Sequence, residues 1–137
     1  MTDHESALQK ALVAALRGDA ALAALLDGRV FDQAPQGAEL PHLLIGRSES
    51  RPLDADGGGV EQRLTLTAVS RFSGTEEAKA ISAAARARLH EATLEADGVR
   101  TVSLRVVWSD VARSGDGRRT WAVVRLRAVT EDVSSDS

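Results

Sequence analysis

At 137 residues the chain has room for one ordinary domain, and its 43 % hydrophobic content argues against wholesale disorder. Aromatics are only 3 % and Tyr is absent, so the core has to be assembled from Leu, Val, Ile and Ala. A net charge of −3 excludes a global basic field for nucleic acid or anionic membranes, and the lack of cysteine excludes a disulfide framework and thiolate chemistry.

The opening Met1-Thr2-Asp3-His4-Glu5 is acidic where a signal peptide is basic, and no apolar run reaches the ~20 residues that span a bilayer. A soluble protein made in the cytoplasm is expected. Thr2 and Glu5 have capping-box spacing, and Leu8, Ala11, Leu12, Ala15 and Leu16 recur at helical intervals until Gly18. Asp19 is placed to cap a second short helix with Leu22, Leu25 and Leu26 on one side, closed by Asp27-Gly28. Val30-Phe31 reads as a brief strand, and Pro35 and Pro41 bound a loop.

Leu43-Leu44-Ile45 reads as a short strand. Residues 47–59, with Pro52 and three consecutive glycines, read as a long mobile hairpin loop. Across residues 60–72, Leu64, Leu66 and Ala68 alternate with Arg63, Thr65 and Thr67, so one face is packed and one is wet. Ser73 and Glu76 suggest a second capping box opening a helix to about Ala92, with Ala78, Ile81, Ala85, Leu89 and Ala92 on its apolar face. Asp97-Gly98 turns the chain. In the next strand Val102, Leu104, Val106 and Trp108 are expected inward, opposite Thr101, Ser103 and Arg105. Ser114-Gly115-Asp116-Gly117 is a hairpin turn. The last strand, residues 120–130, points Ala122, Val124, Leu126 and Ala128 inward and leaves Trp121 on the outer parity. The expected fold is α+β, an antiparallel sheet of about four to five strands with helices on one face. One domain is expected over residues 1–131, with a disordered acidic tail over 132–137.

Chemistry-bearing patterns are sparse. His4, His42 and His90 have no metal-ligand spacing. Asp54-Ala55-Asp56-Gly57 opens like a calcium loop, but position 65, where a bidentate Glu belongs, is Thr65. The triple glycine lacks the Lys and Ser/Thr of a phosphate loop, and nothing pairs a nucleophile with a base. No catalytic residue, metal or cofactor is expected. Arg113, Arg118 and Arg119 form a small basic cluster at a hairpin tip, and Trp121 is an interface candidate.

Several stretches carry a resemblance when taken in order. They are residues 15–25, Gly28-Arg29-Val30-Phe31-Asp32, Ala34-Pro35-Gln36-Gly37, Leu40-Pro41-His42-Leu43-Leu44-Ile45-Gly46, Arg63-Leu64-Thr65-Leu66, Glu77-Ala78-Lys79-Ala80-Ile81, Leu89-His90-Glu91-Ala92, Thr120-Trp121 and residues 125–131. Together they resemble the tail-completion, or tail-terminator, family of long-tailed phages and gene transfer agents, in the flavour of its prophage and gene-transfer-agent members. The resemblance implies a non-enzymatic virion subunit that forms a hexameric ring on the head-proximal end of the tail tube. The ring would end tube polymerisation, join the tail to a connector or stopper, and let DNA pass unread. Another neck protein, or less readily a small ligand-binding protein, remains an alternative. The expected assembly contacts are Arg47, Arg51, Asp54, Asp56, Trp121, Arg118 and Arg119. The loop over 47–59 would order on meeting the tube or a neighbouring copy.

Overall fold

A computed structural model describes residues 3–53, 59–71 and 75–133. In chain order the elements are α1 (His4–Gly18), α2 (Ala20–Leu26), β1 (Val30–Phe31), β2 (His42–Pro52), β3 (Val60–Ser70), α3 (Glu76–Leu89), β4 (Glu95–Ala96), β5 (Val99–Arg113) and β6 (Thr120–Asp132). The strands form one sheet in the order β1-β2-β3-β6-β5-β4, antiparallel except for the β1–β2 pair. The class is α+β as expected. The brief strand expected at Val30–Phe31 is present, and six strands replace the expected four to five because Glu95–Ala96 adds a two-residue strand. A strand that short leaves no periodicity to read.

Two of the expected caps move. Asp3, not Thr2, caps α1, its carboxylate accepting from the Ser6 backbone N–H at 2.9 Å. Thr75 stands at the N-terminal boundary of α3 without a side-chain hydrogen bond, and Ser73 lies outside the described residues. Asp19 caps α2 as expected, accepting from the Leu22 N–H at 3.1 Å. Helix α3 ends at Leu89, before Ala92. Asp97 and Gly98 have φ of 50° and 77°, the pair of positive values that a two-residue hairpin between Ala96 and Val99 requires.

All three helices bury their apolar sides in one cluster with the sheet. α1 contributes Leu8, Leu12 and Leu16 with Ala11 and Ala15, α2 contributes Leu22 and Leu26, and α3 contributes Ala78, Ile81, Ala85 and Leu89. From below they meet Leu64, Leu66, Ala68, Leu104, Val124, Leu126 and Ala128. Alanine at the contact rows lets helix backbones approach the sheet closely, and leucine fills the remaining space. The start of α1 is tied down by a polar link: buried Gln62 Nε2 donates to the His4 carbonyl and to Thr130 Oγ1, each at 3.1 Å. His4 Nδ1 lies 2.8 Å from that same hydroxyl, so His4 belongs to a packed joint.

Three departures from strict alternation reshape the strands. Residues 47–52, expected as loop, continue β2, pairing Ser48 with Leu64 and Pro52 with Val60 after a bulge at Arg47. Pro52 is tolerated because it closes the strand on an outer edge. A bulge in β5 between Thr101 and Ser103 turns Thr101 inward and Val102 outward, and a second between Val106 and Trp108 does the same to Trp108. Val102 is 57 % exposed and Trp108 46 %, against the expectation that both are packed. Each extra residue flips the parity of the side chains beyond it.

Candidate assembly surfaces

The helix-free face of the sheet divides into a charged half and an apolar half. In the charged half, Glu61 on β3 is only 5 % exposed although it faces away from the core. Arg51 Nε on β2 donates to its Oε1 at 2.9 Å, Arg127 Nε on β6 donates to its Oε2 at 2.8 Å, and Arg63 stands 3.7 Å away. The bonds from Arg127 and then Arg51 hold the Glu61 carboxyl below its ordinary value, against the opposing effect of desolvation. Arg51 is thus placed beside a carboxylate that joins three strands. Arg47, at the β2 bulge, is exposed and pairs with Glu49 at 2.9 Å. Asp54 and Asp56 lie outside the described residues.

In the apolar half, Trp121 is 43 % exposed on the outer parity that the sequence indicated. It pairs with Ala112 on β5 and Val69 on β3. Trp108 sits four positions along, opposite Arg125, whose guanidinium lies 4.7 Å from the indole centroid. The two tryptophans therefore share a face but are not paired with each other. Val107, pushed out by the bulge, adds to them, so the exposed large apolar side chains among the described residues all lie on β5 and β6. A cleft of about 410 Å³ runs beside them, lined by Arg47, Arg63, Thr65, Trp108 and Arg125 among others. Trp108 escaped sequence reading because bulges leave no mark in composition.

At the β5–β6 tip, Ser114 Oγ and the Arg118 N–H both donate to Asp116 Oδ1, at 2.6 and 3.0 Å. Those two bonds hold the Asp116 carboxyl below its ordinary value. Asp116 is thereby engaged by its own turn, while Arg113, Arg118 and Arg119 project into solvent. The structure brings Arg118 and Arg119 together with Trp121 at one end of the sheet and puts Arg51 toward the other.

The remaining titratable groups are tied to structure rather than converged on a pocket. His42 is buried edge-on to Phe31, and His90 Nδ1 accepts from the Val106 N–H at 3.0 Å. Among the described residues no group of three His, Asp or Glu could hold a metal ion. No helix is long and apolar enough to cross a membrane. A groove of about 580 Å³ runs between the outer flank of α1 and β2, lined by Glu5, Gln9, Lys10, Arg17 and Ser48 among others. The arrangement offers faces, edges and a protruding hairpin, the parts of an assembly subunit.

The comparisons with known proteins agree with that class. A profile for "Tail completion protein gp17" matches residues 10–131, and the chain belongs to that family. Among solved structures, a chain described as "Virion of native gene transfer agent (GTA) particle" is similar over 96 % of this chain and 99 % of that one. The TM-score is 0.85 and the identity 27 %. No curated protein matches the chain.

Proposed function

We propose that this protein is a tail terminator, a subunit of a ring, hexameric in our reading, that caps the head-proximal end of a tail tube. The observation that carries the reading is the end-to-end likeness to a gene transfer agent virion chain, joined to family membership over nearly the whole length. The surfaces support it. A heterologous contact that closes under rotation needs two different patches on one subunit, and this sheet has two different edges. The exposed tryptophans of β5 and β6 and the exposed arginines of the hairpin that joins them have the composition of interface centres. In this role the tail tube protein meets one end of the ring and a connector or stopper meets the other. DNA crosses the lumen without being read. Asp54 and Asp56, with Arg47 and Arg51, are contacts of the β2–β3 end, and Arg118, Arg119 and Trp121 are contacts of the β5–β6 end. No reaction is catalysed.

The test is deletion of the gene in particle-producing cells, followed by microscopy of tails and heads. Overlong or irregular tails that fail to join heads support a terminator. Normal-length tails accumulating beside finished heads point to a connector instead, and normal particles would overturn both.

A further inference from the structure

The register of the sheet sets two loops of opposite charge at one level on opposite edges. A cross-strand row runs Val30, Leu43, Ala68, Ala122, Val111, from β1 to β5. Just beyond its β5 end stands the hairpin tip with Arg113, Arg118 and Arg119 against the single Asp116. Around its β1 end stand Asp27, Asp32 and Glu39 against Arg29 and Arg17.

Asp32 is held by Gln9, whose Nε2 donates to its Oδ2 at 3.1 Å, while Asp27 and Glu39 stay open to a partner, as do the exposed hairpin arginines. Asp27 and Glu39 are strongly exposed and lie 3.9 and 3.7 Å from the Arg29 guanidinium, long contacts in water. Arg29 is itself engaged, its Nε donating to the Pro41 carbonyl at 2.8 Å. Among the described residues, Arg113, Arg118 and Arg119 have no recorded carboxylate within ion-pair distance, and Asp116 is occupied by its turn. The two edges are separated by four inter-strand spacings, roughly 19 Å, so they cannot meet within one subunit. The β1 edge is also closed to strand addition, because Arg17 Nη2 donates to the Val30 carbonyl at 2.7 Å. Contact there is made by side chains.

We infer that the arginine tip of the β5–β6 hairpin of one copy docks on the acidic β1 edge of the next. This inference rests on the ring reading above and adds which surfaces close the ring. Two unlike patches at the same height on opposite edges are what a heterologous, closing contact requires. Trp121, at the base of the hairpin and partly exposed, lies against the same junction and supplies its apolar centre. Opposite charge at the rim fixes orientation and disfavours like edges meeting, tip to tip or acid to acid.

The chain contains no cysteine, so introduced thiols report unambiguously. Particles are produced from genes carrying Arg118→Cys with Glu39→Cys, and from each single variant. All are treated with a bismaleimide and separated under denaturing conditions, while electron microscopy of the same particles shows whether a ring is present. The expected result is a ladder of linked chains from the double variant and its absence from either single variant. A ring with chains that stay monomeric in the double variant overturns the docking while leaving the ring reading intact. Particles with no ring overturn the ring reading and the docking with it. In a second arm, Arg118→Glu with Arg119→Glu lowers incorporation severalfold, and adding Asp27→Arg with Glu39→Arg restores it. Loss without restoration counts against the pairing.

Discussion

Exchanging the polarity of Thr101 and Val102, one at a time, tests the bulge in β5 directly. Thr101 is buried, and its Oγ1 accepts from the Leu94 N–H at 2.8 Å and donates to the Ala92 carbonyl at 3.2 Å. Thr101→Val keeps shape and β-branching but leaves a buried N–H and a carbonyl short of a partner. That costs about 1–3 kcal/mol. Val102→Thr adds a hydroxyl on a side chain already more than half exposed, which stays within about 0.5 kcal/mol. In urea, with a slope of about 2 kcal/mol per M, Thr101→Val therefore lowers the midpoint by roughly 1 M and Val102→Thr leaves it in place. Unbroken alternation predicts the reverse, with Val102→Thr burying an unpartnered hydroxyl. A neutral Thr101→Val beside a damaging Val102→Thr refutes the register.

Leu66→Ala, beneath the helices at the centre of the sheet, lowers unfolding free energy by about 2–5 kcal/mol, since alanine-rich helices offer little side chain to refill the space; a loss under about 1 kcal/mol would deny that the core is packed as described. Glu61 has a folded pKa below its ordinary 4.5, so its stabilising contribution is complete above that value and disappears as pH falls through the lower folded value. Wild type should consequently lose thermal stability over that acid range more steeply than Glu61→Gln, and parallel melting curves against pH would contradict the arginine cage. Trp121→Ala should leave the isolated chain's stability within about 1 kcal/mol yet reduce its incorporation into particles, measured by immunoblot of purified material. Unchanged incorporation would remove Trp121 from the interface.

The elements with long, regular periods were legible in the sequence. Leu8, Leu12 and Leu16 mark α1 and Leu64 and Leu66 mark β3, because each keeps its helical or strand period throughout. Asp19 and Asp97-Gly98 were legible through turn and cap chemistry alone. What escaped was every place where one residue is inserted. The bulge at Arg47 extends a strand into what composition reads as loop, and the bulges at Val102 and Val107 invert the side chains after them. Tertiary pairing with β3 and β6 supplies the hydrogen bonds that override local signals there. The Glu61 cage was invisible for a related reason. Arg51, Glu61 and Arg127 are distant in sequence and meet only through register. Of the expected contacts, Trp121 was readable from parity and its closeness to Arg118 from the chain itself, whereas the setting of Arg51 required the sheet order.

Cryo-electron microscopy of intact particles tests the central claim most directly. The account predicts density for this chain as a closed ring of copies at the junction of tail tube and head, with the β5–β6 hairpin of each copy reaching the β1 edge of its neighbour. Density along the tail shaft, at its distal tip, or nowhere in the finished particle would contradict it.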